Sequence, residues 1–212
     1  MDNTLSHILK HKIIAIIRGA DPQNVVPIAE ALYAGGIRCL EITLNSPNAL
    51  ELISELSTVW QNKLYIGAGT VLDAASANAA INAGARFIIS PIVDLPTIRA
   101  TKERGAISIP GAYTATEIVH AFSIGGDIIK VFPASVGPAY FKDLRGPLPH
   151  IPLMPTGGVH LDNIVAFQKA GVVAFGIGTA LVDTKDRITD AYLQLLTEKA
   201  NQFVRALQDP NQ

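Results

Sequence analysis

Short apolar runs alternate with amphipathic stretches along the whole chain, and small residues mark each passage from one to the next. "YAGGIRCLEITL", "NAGARFIIS", "ERGAISIPG", "SIGGDIIKVFP" and "KAGVVAFGIG" each couple a glycine-containing turn to an apolar run, and each follows a stretch with helical periodicity. The repeating unit is therefore helix, glycine cap, strand. Gly36, Gly84, Gly105, Gly126 and Gly171 are separated by 48, 21, 21 and 45 residues, so each long gap holds one further unit without a glycine cap. "LYIGAGTV" (64–71) and "LMPTGG" (153–158) supply strands in those gaps, and "IIAIIRG" (13–19) precedes the first helix, giving eight strands.

Eight strands alternating with helices predict a (β/α)8 TIM barrel, near the short end of that fold's usual range of roughly 200 to 400 residues. A doubly wound α/β sheet is the alternative. Two helices stand outside the repeat. "TLSHILKHK" precedes the first strand and is placed to cover the barrel's bottom, and "DRITDAYLQLLTEKANQFVRAL" follows the last as an amphipathic closing helix. No Pro- or Ser-rich linker divides the chain, so residues 1–212 read as one domain.

Charged residues make up 17% of the chain, below the roughly 25% of an average soluble domain, so much of it faces an interior or a subunit interface. A net charge of -1, with both signs scattered, provides no basic stripe for nucleic acid and no charged tail, which leaves small molecules as the expected partners. Cys39 is the only cysteine and lies in an apolar run, as expected of a buried thiol in a reducing cytoplasm. No apolar stretch reaches the roughly 18 residues a membrane span needs, so neither secretion nor membrane insertion is expected. His7, His11, His120, His150 and His160 show neither H-x-H nor H-E-x-x-H spacing, and "IIAIIRGADPQN" lacks G-x-G-x-x-G. Neither a metal nor a nicotinamide cofactor is expected.

Active sites of barrels lie at the C-terminal ends of the strands, which makes those ends the place to look for chemistry. Lys130, just before "VFP", is a lone charge in an apolar strand whose alternation puts Ile128, Lys130 and Phe132 on one face and Ile129 and Val131 on the other. Both faces of a barrel strand are covered, so this lysine loses water. It is either a snorkelling side chain whose ammonium reaches solvent at the strand end, or an amine whose pKa burial lowers, able to attack a carbonyl and form a Schiff base. Glu41 in "CLEITL" is likewise a lone charge in an apolar strand. Strands two and six have the same parity, so their inward side chains share a layer and the two groups approach across the axis. Such a pair either only settles buried charge or moves protons, and convergence at the catalytic mouth fits proton transfer better.

The last two strands end in "PTGGVHLDN" and "GIGTALV", placing Gly157, Gly158, Gly178 and Thr179 where barrels often bind phosphate through backbone N–H groups. Either glycine turn alone is also an ordinary turn. Arg18, at the end of the first strand, is suited to a charge-assisted bond to phosphate or carboxylate, or to a surface ion pair.

The motifs "LEITLNSP", "IGAGTVL", "FIISP", "IPGAYTATE", "IKVFPAS", "PTGG" and "GIGTAL", in order between about residues 10 and 182, resemble those of the class I aldolases for 2-keto-3-deoxy-6-phosphogluconate (KDPG) and its galactonate epimer (KDPGal). The resemblance implies cleavage to pyruvate and glyceraldehyde 3-phosphate, with 4-hydroxy-2-oxoglutarate (KHG) as a further substrate, no cofactor, and a homotrimer. It implies Lys130 as Schiff-base lysine, Glu41 as general acid and base, and Thr70 at the pyruvyl carboxylate. It further places Pro91 and Phe132 in the pocket wall and Gly157, Gly158, Gly178 and Thr179 at the phosphate. Asn45 stands where gluconate-type members usually carry arginine, which makes Arg18 the main cationic anchor, as in the galactonate type. Thr156, by contrast, resembles the gluconate type, and Thr179 replaces the more usual serine while keeping a hydroxyl donor. A metal-dependent pyruvate aldolase, a phosphate-binding isomerase and a non-catalytic sugar-phosphate-binding barrel are the alternatives.

Overall fold

The computed structural model describes residues 4–208. Helix α1 (Thr4–His11) leads into β1 (Ile13–Ile17), α2 (Pro22–Ala34), β2 (Cys39–Thr43), α3 (Ala49–Trp60), β3 (Tyr65–Gly69), α4 (Ala74–Asn82) and β4 (Phe87–Ile89). The chain continues through α5 (Leu95–Glu103), β5 (Ile107–Ile109), β6 (Gly111–Ala112), α6 (Ala115–Ser123), β7 (Ile129–Val131), α7 (Pro138–Arg145), β8 (Leu153–Pro155), α8 (Leu161–Lys169), β9 (Phe175–Ile177) and α9 (Asp190–Gln208).

Several helices begin where a short polar side chain takes up free N–H groups. Asp73 accepts from the Ser76 N–H at 2.7 Å, Asp94 from the Thr97 N–H at 3.0 Å, and Thr114 forms a reciprocal capping box with Glu117. Caps of this kind contribute about 1 kcal/mol each. Thr189 starts α9, its hydroxyl accepting from the Tyr192 N–H at 3.2 Å, so Asp186 to Thr189 are loop rather than the first turn of the expected closing helix.

The cap before β7 falls on Gly125 (φ 113), not on Gly126. Gly126 has a different constraint, since a Cβ there would lie 2.8 Å from Ile129 Cδ1 and Pro110 Cγ. Ahead of β3 no glycine is present, and Gln61 takes a positive φ instead (φ 42, ψ -110).

All strand pairs are parallel. Six strands form one sheet in the order β5-β4-β3-β2-β1-β9, and three form another in the order β6-β7-β8. The ladder breaks at Pro110, which lacks an N–H and so splits the fifth expected strand into β5 and β6. The break is spanned by the Lys130 N–H, which donates to the Pro110 carbonyl at 3.0 Å. At the other seam Thr156 and Gly176 form a single parallel bridge.

Strand alternation sorts the buried residues into two clusters. Ile13, Ala15, Leu40, Ile42, Ile129 and Val131 pack in a large cluster with apolar residues of the helices. Ile14, Cys39, Phe87, Ile109, Ile128 and Met154 face the other way, and Ile8 of α1 joins them. Helix α1 thus covers the end from which the strands start. Lys130 and Glu41 lie two positions beyond Ile128 and Cys39 on this inner face. Helix α9 lies against α2, where Thr197 donates to the Ala31 carbonyl at 3.0 Å. Among the described residues no helix is long and apolar enough to cross a membrane.

Candidate active site

Glu41 is fully buried and Lys130 nearly so, at 0% and 4% exposure. Their room comes from the strand beside them. Gly69 ends β3, paired with Thr43 of β2, and a Cβ on it would lie within 2.6 Å of Glu41 Cγ and closer still to the carboxyl group. A glycine inside an apolar strand is the signature of such an approach. Among the described residues neither Glu41 oxygen has a hydrogen-bond partner, which is rare for a buried carboxyl and marks space for a ligand or water.

Burial holds the Glu41 carboxyl above the usual range, with the charges of Lys130 and Arg18 acting in the opposite direction. Burial likewise pushes Lys130 below the usual lysine range; Glu41 opposes that shift and Arg18 reinforces it. The Lys130 Nζ lies 5.2 Å from the centroid of the Phe132 ring, which is itself exposed. The interior thus favours a neutral amine and a protonated carboxyl, an arrangement suited to nucleophilic attack and proton transfer. Cys39 is different in kind, since burial raises its thiol and so disfavours the reactive thiolate.

Arg18 follows β1. Its Nη1 donates to Asn45 Oδ1 at 3.1 Å and to Thr70 Oγ1 at 3.2 Å, which gathers the ends of β1, β2 and β3 around one guanidinium. Thr70 holds φ 56, an uncommon conformation for a β-branched residue, and strain of this sort clusters at functional sites.

Beside Arg18 opens a cavity of about 830 Å³ lined also by Phe132, Thr156, Gly157, Gly158, Gly178 and Thr179. Gly157 and Gly158 take φ 76 and 87, a turn only glycine makes without strain, and a Cβ on Gly158 would lie 2.8 Å from Ser135 Cα. Thr156 is buried with an unpartnered hydroxyl, and its side chain occupies the space that a Cβ on Gly176 would need. Pro91 stands apart from this lining; its backbone packs where a Cβ on Gly111 would be, 2.5 Å from the Pro91 carbonyl carbon. Ile16, His160 and the segment Asp183 to Lys185 also line the cavity, although the strand-end pattern does not point to them. Gly69 and Gly176 were legible as glycines inside strands, whereas Lys185 lies in a loop with no periodic signal. Among the described residues no three His, Cys, Asp or Glu side chains converge as metal ligands.

The family model described as KDPG and KHG aldolase matches residues 5–196. The chain is similar to a 2-dehydro-3-deoxy-phosphogluconate aldolase of Pseudomonas aeruginosa, at 41% identity over 181 residues, 82% of this chain and 80% of that relative. It is also similar to the 2-dehydro-3-deoxy-6-phosphogalactonate aldolase of Escherichia coli, at 32% identity over 202 residues, 94% of this chain and 96% of that relative. Among solved structures, a KDPG aldolase from Legionella pneumophila, with pyruvate captured at low pH as a covalent carbinolamine intermediate, superposes with a TM-score of 0.79. That pair is 30% identical and the match covers 90% of this chain and 93% of the other.

Proposed function

The chain belongs to the KDPG and KHG aldolase family, and from that premise we propose that it is a class I aldolase that cleaves KDPG, or its galactonate epimer, to pyruvate and glyceraldehyde 3-phosphate. The observation that carries this reading is the buried pair of Lys130 and Glu41 on the inner face, outside the cavity lining itself but with the Lys130 amine 5.2 Å from the ring of Phe132, which belongs to that lining; burial shifts both groups toward their uncharged forms.

In the reaction the neutral Lys130 amine attacks the C2 ketone of the substrate to give a carbinolamine. The Glu41 carboxyl gives a proton to the departing hydroxyl, water leaves, and an iminium remains. Glu41, now a carboxylate, takes the C4 hydroxyl proton. The electrons of the C3–C4 bond flow into the iminium, releasing glyceraldehyde 3-phosphate and leaving an enamine. Glu41 returns its proton to C3, and water hydrolyses the pyruvate iminium to free Lys130. The guanidinium of Arg18 and the Thr70 hydroxyl fit the pyruvyl carboxylate, and the unpartnered Thr156 hydroxyl faces the middle of the substrate. The glycine turns 157–158 and 178–179 fit the phosphate, whose remote binding energy positions C3 and C4. Phe132 forms the pocket wall in this reading, while Pro91 stays outside the cavity lining. KHG is cleaved by the same steps to pyruvate and glyoxylate.

The proposal includes a closed (β/α)8 barrel forming one domain. Supporting it are the hydrogen bond from Lys130 to Pro110, the bridge between Thr156 and Gly176, and the single inner cluster fed by both sheets. A homotrimer in the cytoplasm, with no metal or organic cofactor, completes it; the buried free thiol of Cys39 accords with a reducing compartment.

Incubation with pyruvate and borohydride, followed by peptide mass spectrometry, tests the chemistry. The expected result is an adduct on the Lys130 peptide, with neither adduct nor turnover in Lys130→Ala. A Lys130→Ala protein that cleaves KDPG at near the wild-type rate refutes the mechanism.

A further inference from the structure

The two ends of the cavity are unequally supplied with positive charge. KDPG and its epimer are anionic at both ends, with a carboxylate at one and a more highly charged phosphate at the other. Arg18 is committed to the first end by its bonds to Asn45 and Thr70. At the second end Gly157, Gly158, Gly178 and Thr179 offer backbone N–H groups and a hydroxyl, but no charge.

Three further residues of the lining carry ionisable side chains: His160, two positions past the 157–158 glycine turn, and Asp183 and Lys185, on the loop that runs on from Thr179. His160 is occupied, its Nε2 lying 2.9 Å from Asn163 Nδ2 and its Nδ1 3.7 Å from Asp162. Asp183 Oδ1 accepts the backbone N–H of Lys185 at 3.1 Å. The Lys185 ammonium has no ion-pair partner among the described residues.

The backbone carrying Lys185 is tied down immediately before it. Thr184 Oγ1 donates to the Arg18 carbonyl at 2.7 Å, and the Tyr192 hydroxyl donates to the Asp183 carbonyl at 2.9 Å. The loop backbone that leads into Lys185 is therefore anchored to the end of β1 and to α9, while the exposed Lys185 side chain has no ion-pair partner among the described residues. A phosphate entering here also meets the Asp183 carboxylate, whose repulsion an ammonium on the same loop offsets.

We propose that Lys185 is a specificity-determining residue: its ammonium donates a charge-assisted hydrogen bond to the substrate phosphate, and so selects phosphorylated over unphosphorylated keto-deoxy acids. The inference rests on the Schiff-base aldolase reading given above. The bond from Thr184 to the carbonyl of Arg18 gives the preference a mechanical basis, because the loop that grips one anionic end is fastened to the residue that grips the other.

The test measures kcat/KM on KDPG and on its unphosphorylated counterpart for wild type, Lys185→Ala and Lys185→Arg, at low and high salt. Lys185→Ala is expected to lower the ratio of the two values by about tenfold or more, the scale of one charge-assisted hydrogen bond. High salt shrinks that loss, and Lys185→Arg recovers most of it. Inorganic phosphate as competitor gives the same discrimination without a second substrate, its inhibition constant rising in Lys185→Ala. An unchanged ratio with an unchanged inhibition constant overturns the proposal, as does an equal fall on both substrates. Pyruvate trapping on Lys130 is run alongside. Trapping in wild type with an unchanged ratio counts against Lys185 alone, whereas no trapping in wild type counts against the aldolase reading itself.

Discussion

Replacing Gly69 with alanine adds one methyl group at the point where the Glu41 side chain crosses β3. Gly69 has ordinary extended backbone, so alanine introduces no φ strain, and the whole effect is steric. The new Cβ would stand 2.6 Å from Glu41 Cγ, against ordinary contact from about 3.4 Å, so that carbon must retreat by about 0.8 Å (3.4 − 2.6) and the carboxyl group by more. What yields is the far part of a flexible side chain with no hydrogen bonds to hold it. The fold therefore survives, and the displacement is spent on the group proposed to move every proton. Misplacing a catalytic group by about 1 Å costs on the order of 100-fold. Pyruvate release coupled to lactate dehydrogenase reads the rate, and thermal unfolding followed by circular dichroism reads the fold. Gly67→Ala is the matched contrast: its Cβ would meet the Phe87 ring, 2.5 Å from Cζ, inside the inner cluster, where overpacking costs about 1–3 kcal/mol of stability. A Gly69→Ala protein with near wild-type kcat, or one that loses stability as Gly67→Ala does, refutes the assignment of Gly69 as the seat of the Glu41 carboxyl.

Two further outcomes follow from the same geometry. Because burial lowers the Lys130 pKa, the amine becomes reactive on the acid side of the ordinary lysine value of 10.5; the rate of pyruvate trapping should climb with pH and level off before that value, and a rate still climbing beyond it contradicts a lowered pKa. Thr70→Gly removes a left-handed β-branched residue, a relief of roughly 1–2 kcal/mol, against roughly 0.5–1 kcal/mol of added chain entropy. Its melting temperature should therefore stay close to wild type while KM rises through loss of the hydroxyl that Arg18 holds, and an unchanged KM argues against a carboxylate site at Thr70.

Periodicity and glycine spacing carried most of the architecture. The apolar runs that end at Ile17, Thr43, Gly69, Ile89, Val131, Pro155 and Ile177 all became strands, because a run too short for a helix and flanked by caps has few other ways to bury itself. Pro110 escaped that reading: it sits inside an apolar run and divides it, since a strand residue without an N–H cannot continue the ladder. Gly125 and Gly126 are adjacent and chemically identical, and only the neighbours Ile129 and Pro110 decide which one caps and which one packs. Lys130 and Glu41 were visible because a charge in an apolar strand violates the pattern. Asp183 to Lys185 were not, because a loop has no pattern to violate, and the tie between Thr184 and Arg18 spans 166 residues of sequence.

The inner face has an apolar floor, made by Ile14, Cys39 and Ile128 and sealed by Ile8 from α1, two strand positions before the tier that holds Lys130 and Glu41. Traffic to that tier therefore has a single direction. A flat enamine lying on such a floor presents one side to hydrocarbon and the other to the proton donor, so the two faces of its C3 carbon are chemically inequivalent. In the proposed reaction, handedness at carbon follows from the plugging of the barrel from below: 2-oxobutanoate exchanged in deuterium oxide becomes labelled in one configuration, imposed by a methyl-lined surface that takes no part in the chemistry.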